Sequence, residues 1–349
     1  MSMCWADPME TANTLVLRGG AKAAPHRTIP AVGTNYAPWY GGLLAGLAWL
    51  AAALVTGAWD DVNEWTYTAQ LAAIEAAIGG VLLAVGLAGS LSGPVLARVK
   101  TSGAWLVALG LAATGWEAVT AKLMWLPPPF FVPPQGLLEA YLDDWPRLFE
   151  CAYHSIALLG VGFAFGAATG FVVGVSIGWS RAAAYWGHPI LRLIGPLPPV
   201  AWLPVAFFLF PSSWSASVFL IALATGIPVA ILTWSGVSSV PSSYYDIART
   251  LGGKERFLVL RVAIPAALPH VFVGLFMGLT SAFVVLVVAE MMGVKAGLGW
   301  YLQWAQGWAA YGNMYAALLV MAVVCSSLVT LLFKVRNHLL SWQKGLVRW

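Results

Sequence analysis

Apolar residues in this chain do not alternate with polar ones. They gather into long runs parted by short polar stretches. Eight runs stand out, at about 39–58, 69–91, 103–123, 152–178, 190–210, 215–236, 265–290 and 313–333. A helix needs about 20 mainly apolar residues to cross a hydrocarbon layer of about 30 Å. Each run therefore predicts a membrane-spanning helix, and the fold class expected is an all-α polytopic membrane protein with about eight transmembrane helices. The fifth run contains Pro196, Pro198, Pro199 and Pro204, so it should be broken or kinked. The fourth carries Gly162, Gly166, Gly170, Gly174 and Gly178 at every fourth position, a spacing that lets helix backbones approach closely.

Composition sharpens this picture. Of 349 residues, 60% are apolar and only 9% are charged, against roughly 25% charged in soluble domains. That excludes an ordinary soluble enzyme, a nucleic-acid binder and a disordered scaffold. The net charge of +4 is better read by where the basic residues fall. With the N-terminus cytoplasmic, Arg18, Lys22, Arg27, Arg98, Lys100, Arg181, Arg192, Arg249, Lys254, Arg256, Arg261, Lys334, Arg336, Lys344 and Arg348 all lie inside. Only Lys122, Arg147 and Lys295 fall outside, where Asp60, Asp61, Glu64, Glu139, Asp143, Asp144 and Glu150 gather. Eight spans with both termini cytoplasmic fit this positive-inside asymmetry.

The stretch before Trp39 shows no cleavable signal pattern. The three cysteines, Cys4, Cys151 and Cys325, show no metal or redox spacing and read as free thiols. Residues 1–38 form a polar cytoplasmic tail, and 39–102 a two-helix hairpin with its linker. On the outer side LPPPFFVPPQ (126–135) reads as a stiff, extended segment. Gly136–Glu150 follows as an amphipathic helix, with Leu137, Leu138, Tyr141, Leu142 and Trp145 on one face and Glu139, Asp143 and Asp144 toward water.

One inner loop, 236–262 with its flanks, is long, basic and helical in two pieces. Tyr244, Ile247, Ala248 and Leu251 share a face at helical spacing, Gly252 and Gly253 end the first piece, and Lys254–Val262 forms a second short helix leading to Pro265. Such a shape either docks a partner in a groove or is a plain interfacial turn.

Asp246-Ile247-Ala248, three residues, Gly252, nine residues, then Val262-x-Ile264-Pro265 resembles the EAA signature of ATP-binding-cassette importer permeases. Asp246 stands for Glu and Ile247 for Ala. Ile264–Gly278, Ala289-Glu290-Met291-Met292-Gly293, Gly297-Leu298-Gly299, Pro196–Phe208 and the Ser155–Gly178 span look like the nitrate, sulfonate and taurine branch. The resemblance covers roughly 103–349. It implies a type I importer permease core there, with two extra N-terminal helices. It also implies a bacterial inner-membrane location, a coupling loop seated in a separate ATPase subunit dimer that holds ATP and Mg, a second permease copy or paralogue, and a periplasmic binding protein delivering a small anion. The coupling residues would be Tyr244, Tyr245, Asp246, Ala248, Arg249, Leu251, Gly252, Lys254, Arg256 and Pro265, with Tyr244, Tyr245 and Leu251 as the apolar knob. The chain has no GxxxxGK[ST] loop, so it is expected to bind no cofactor itself, to be no enzyme, and to leave ATP hydrolysis to its partner.

Glu75, Glu117 and Glu290 lie within spans, where charges are costly and partnered. Glu290 reads either as part of an outer gate with Met291 or as a cap on a neighbouring helix N-terminus. Glu117 reads as the partner of Lys122, and His154 as interfacial. Trp202, Trp234, Trp300 and Trp304 either line a path or belong to the interfacial belt. Two other functions stay open: an ion-coupled secondary transporter using Glu75, Glu117 and Glu290, and a scaffold whose loop docks a soluble partner.

Overall fold

A computed structural model describes residues 38–88 and 94–343. The predicted tail with Arg18, Lys22 and Arg27, residues 89–93, and Lys344 and Arg348 lie outside the described residues. Among the described residues the secondary structure is helical throughout. The elements are α1 (Tyr40–Ala58), α2 (Thr68–Leu87), α3 (Pro94–Thr101), α4 (Gly103–Glu117), α5 (Pro134–Asp143), α6 (Trp145–Trp179), α7 (Arg181–Ile194), α8 (Leu203–Leu209), α9 (Ser213–Ser238), α10 (Ser242–Thr250), α11 (Glu255–Phe257), α12 (Ile264–Met292), α13 (Leu298–Gly307) and α14 (Tyr311–Leu339). Among the described residues seven helices are long and apolar enough to cross a membrane, counting α4 with the π-helical turn Ala118–Lys122 as one and α11–α12 as one. The side carrying the basic loops is called the basic side below, and the opposite one the acidic side.

The expected fifth span is sharply bent. Residues Arg181–Ile194 and Pro199–Leu209 meet at 88°, because Pro196, Pro198 and Pro199 supply no backbone N–H to continue the helix. Ser180 ends α6 and starts α7, its hydroxyl accepting from the N–H of Ala183 at 3.4 Å. The expected outer helix over 136–150 is also divided. It stops at Asp143, and α6 begins at Trp145 with a proline in its first turn, a position that proline favours.

The core is the contact of α6 with α9. A Cβ on Gly166 would lie 2.5 Å from the Ala222 carbonyl oxygen, one on Gly170 2.5 Å from that of Gly226, and one on Gly174 2.6 Å from that of Ala230. The two backbones are thus in direct contact. On its other side α9 receives α12, where a Cβ on Gly278 would lie 3.0 Å from the Thr225 carbonyl. Leu220, Ile221, Ala224 and Val229 of α9 are sealed between them.

The helix α4 packs against the N-terminal hairpin. Trp49 Nε1 donates to the Leu106 carbonyl at 3.1 Å, and a Cβ on Gly110 would meet Ala48 at 3.1 Å. The expected boundary at residue 102 therefore cuts through a packed unit. α1, α2 and α4 form one three-helix group, which meets the rest chiefly through α5.

Introducing leucine at Gly170 should lower stability by about 1–3 kcal/mol or more, the cost of forcing volume into a packed contact. The same substitution at Gly160, where a Cβ meets nothing within 4 Å, should be tolerated. Thermal unfolding of the two purified variants checks this, and equal melting temperatures would contradict it.

Candidate functional site

At the basic side α10 ends in a hydrogen-bonded turn. The Gly253 N–H reaches the Ala248 carbonyl at 2.9 Å and the Gly252 N–H the Arg249 carbonyl at 2.9 Å, the double closure of a Schellman cap. Gly252 has φ +82, in the left-handed region where a side chain costs about 1–2 kcal/mol. Leu251 is 83% exposed, and Tyr244, Ile247 and Phe257 are exposed beside it. With Ala248, Lys254 and Arg256 they line an open concavity of about 580 Å³.

Arg249 ties the two sides of this turn, 3.7 Å from Asp246 and 3.6 Å from Glu255, all three exposed. Pairs of this kind contribute little energy, so they orient the turn rather than stabilise it. Tyr245 does not join the knob. Its ring meets Trp179 of α6 edge-on at 5.5 Å, beside Val237, Ala263 and Ala267, and burial raises its phenol pKa. Tyr245 and Ala248 anchor α10 to the bundle and leave Tyr244, Ile247 and Leu251 facing out.

The expected second short helix is instead the start of the next span. From Glu255 the chain runs through a π-helical turn, Leu258–Ala263, directly into α12. Pro265 has no N–H for the Arg261 carbonyl and crowds it, and a wider turn relieves that conflict. One helix, Glu255–Met292, therefore joins the exposed turn to Glu290 near the acidic side.

Glu290 is fully buried. Its Oε1 accepts from Ser155 Oγ at 2.7 Å, and its Oε2 from the Gly299 N–H at 2.8 Å. Ser155 Oγ accepts in turn from the Leu298 N–H at 2.8 Å. The carboxylate thus occupies the N-terminus of α13, where N–H groups lack helical partners and the helix dipole favours a negative group. Gly297, at φ +133, makes room, since a Cβ there would lie 2.4 Å from the Glu290 carboxyl. The middle of α13 is pinned separately. The buried Tyr301 donates to Asp144 Oδ2 at 2.6 Å, and Asn313 donates to Tyr301 at 2.7 Å. Burial, then the Asp144 bond, raises the Tyr301 phenol above its ordinary range. Asp144, expected to face water, is the acceptor of this contact. Arg147 lies 4.8 Å over the Trp304 ring and seals the edge.

The remaining candidates are scattered. Trp202 packs against the α6–α9–α12 core and Trp300 against the α13 cluster. Trp234 meets His188 at 4.2 Å near the basic end of α9, far from Glu290. Met291 is half-buried. Trp202, Trp300 and Trp234 thus pack in three different surroundings. Glu75 accepts from Thr56 at 2.9 Å, and Lys122 lies 3.7 Å from Glu117 but 2.8 Å from Asp61. No hydrogen bond links Glu75 or Glu117 to Glu290. Ser155, Tyr301 and Asn313 are not legible as site residues, because they meet Glu290, Asp144 and Asp144 across 135, 157 and 169 residues.

Residues 166–341 match the family "Binding-protein-dependent transport system inner membrane component". The chain belongs to this family. It is 28% identical over 118 residues to the nitrate import permease protein NrtB of Synechococcus elongatus, covering 34% of this chain and 42% of that one. It is 30% identical over 139 residues to the bicarbonate transport system permease protein CmpB of the same species, covering 39% and 50%. To a probable ABC transporter permease protein of Brucella melitensis it is 29% identical over 178 residues, covering 51% and 71%. The chain thus spans about half the length of the first two relatives. An inward-facing structure of the MetNI methionine ABC transporter superposes with a TM-score of 0.47 at 16% identity, covering 59% of this chain and 99% of that one.

Replacing Glu290 by leucine should leave the Gly299 N–H and the Ser155 hydroxyl unsatisfied, at about 1–3 kcal/mol each. Hydrogen exchange at the Leu298 and Gly299 amides should then rise while that of α9 stays unchanged. Unaltered protection at those two amides would show that the carboxylate does not hold α13.

Proposed function

We propose that this chain is the transmembrane subunit of an ATP-binding-cassette importer, with its basic side in the bacterial cytoplasm and its acidic side toward the periplasm. The observation that carries this is the α10 turn: an exposed apolar knob, closed by Gly252 and flanked by Arg249, Lys254 and Arg256, at the end of an unbroken helix that reaches the opposite side. A separate ATPase dimer receives one such turn from each of two permease copies, or from this chain and a paralogue. Tyr244, Ile247 and Leu251 fill its groove, and the basic residues meet its rim. ATP and Mg reside on the ATPase. Closure of the dimer draws the two turns together, and α11–α12 carries the displacement to Glu290 and α13. The translocation path then forms between the two permeases, which agrees with the scattered candidate tryptophans within one chain.

The substrate class is a small anion of the nitrate, bicarbonate or sulfonate kind, delivered by a periplasmic binding protein. Two of the relatives are named for nitrate and bicarbonate. Transient contacts from hydroxyls, indole N–H groups and the broken helix pair around Pro196 suit an anion that must also leave. The ion-coupled alternative would need Glu75, Glu117 and Glu290 to exchange protons or ions. Glu290 is held by two donors of its own chain, the Ser155 hydroxyl and the Gly299 N–H, in a hydrogen-bond network separate from those of Glu75 and Glu117, which disfavours it.

Changing Gly252 to aspartate should reduce uptake at least ~10-fold, with the chain still inserted, because φ +82 disfavours a side chain and the new carboxylate obstructs the docking turn. Uptake of radiolabelled nitrate, bicarbonate and taurine into vesicles holding the complete transporter checks this. Wild-type rates for the variant would sink the assignment.

A further inference from the structure

The three-helix group α1, α2 and α4 meets α5 around a buried polar cluster that the transport reading does not use. Lys122 ends the π-helical turn Ala118–Lys122 that continues α4, and its side chain is fully buried. Its ammonium donates to two carbonyls, that of Thr56 at 3.0 Å and that of Trp59, and pairs with the Asp61 carboxylate, whose Oδ1 lies 2.8 Å away. Glu117, 3.7 Å away, lies beyond hydrogen-bond reach of the ammonium. Its Oε1 accepts from Gln135 Nε2 at 2.5 Å, and that amide also reaches Asp61 Oδ2 at 3.4 Å. Three buried oxygens of the cluster lack a hydrogen-bond donor: Asp61 Oδ1 has the Lys122 ammonium beside it as an ion pair, while Glu117 Oε2 and Gln135 Oε1 are left as the two orphans. Both residues are fully buried.

Two balances fail in the same way. The charged groups facing Glu117 are Asp61 from the α1–α2 loop, Glu75 from α2 and Lys122 from its own helix, while α1 and α5 present only the neutral Thr56 and Gln135. With every acid ionised, one cation faces three carboxylates in a buried cluster, where uncompensated charge is costly. Asp61, at 2.8 Å, claims that cation. The hydrogen bonds are also short of donors, since the two orphan oxygens are both acceptors.

We propose that Glu117 is a proton-binding site, held as the neutral acid at neutral pH and joined to Gln135 as a cyclic acid–amide pair. In that pair the Gln135 Nε2–H donates to Glu117 Oε1 and the Glu117 Oε2–H donates to Gln135 Oε1. One proton then satisfies both orphan oxygens and removes a surplus negative charge. The pair joins α4 to α5 without a net charge, and so fastens the N-terminal three-helix group to the helix that also holds Asp144 beside Tyr301. Loss of that proton would remove one of the two hydrogen bonds and leave an unpaired carboxylate in the cluster.

The test is infrared spectroscopy of the full chain in lipid nanodiscs at neutral pH, in H₂O and D₂O. The wild type should show the carbonyl stretch of a neutral carboxylic acid, sensitive to deuterium, and this band should be lost in Glu117→Gln. In Gln135→Leu, which keeps the acid but removes its acceptor, the band should shift toward higher frequency. In Glu75→Gln it should stay in place. Superimposable acid-region spectra for wild type and Glu117→Gln would overturn the proposal, leaving a water or an ion as the group that satisfies the two oxygens. Should Glu117→Gln fail to insert, an unshifted band in Gln135→Leu would overturn it equally.

Discussion

In the hydrocarbon interior a polar group has no water to fall back on, so each one must find its partner within the protein. The layout follows from how this chain meets that demand. Its long helices satisfy their own backbones. Where prolines interrupt the fifth run, the chain turns by 88° and places the break where Gly195–Pro198 connects two short helices. Where carboxylates are buried, each is placed against a donor of the chain: Glu75 against Thr56, Glu117 against Gln135, and Glu290 against Ser155 and a backbone N–H. Glu290 answers the open N–H groups of α13, and Lys122 answers the last carbonyls of α1.

Close packing of α6, α9 and α12 gives these polar contacts a fixed frame. Glycines bring α6 onto α9 at backbone distance, where dispersion and close fit replace the hydrophobic effect that lipid cannot supply. The docking turn and the Glu290 contact lie at opposite ends of one helix packed on that frame. Beyond the Gly252 turn a displacement has one helix, Glu255–Met292, along which to travel, with the π-helical turn before Pro265 and the interior Pro269 as its irregularities.

Much of this was legible in the chain's own pattern. The apolar runs marked the spans, the four prolines marked the broken one, and Gly252-Gly253 marked the end of α10. The resemblance carried by Asp246–Pro265 named the family that residues 166–341 then matched. What stayed hidden was long-range pairing. Ser155 and Glu290 are 135 residues apart and α5 meets α14 across a similar distance, so no local spacing announces them. Helix α13 was hidden because Leu298–Gly307 is too short for a span and lies behind a plain Gly-Leu-Gly. Glu290 has two open readings, and the structure shows its carboxylate at the N-terminus of α13. Tyr245 was placed outward by its neighbour Tyr244, although a helix turns by about 100° between the two.

The central claim is that the α10 turn seats in an ATPase. A photo-crosslinking residue at position 251, introduced into the chain in its native membrane, tests this directly. The account predicts one dominant adduct, with an ATP-binding-cassette ATPase, lost when Gly252 is changed to aspartate. No such adduct, with position 251 freely labelled by a soluble reagent from the cytoplasmic side, would contradict it.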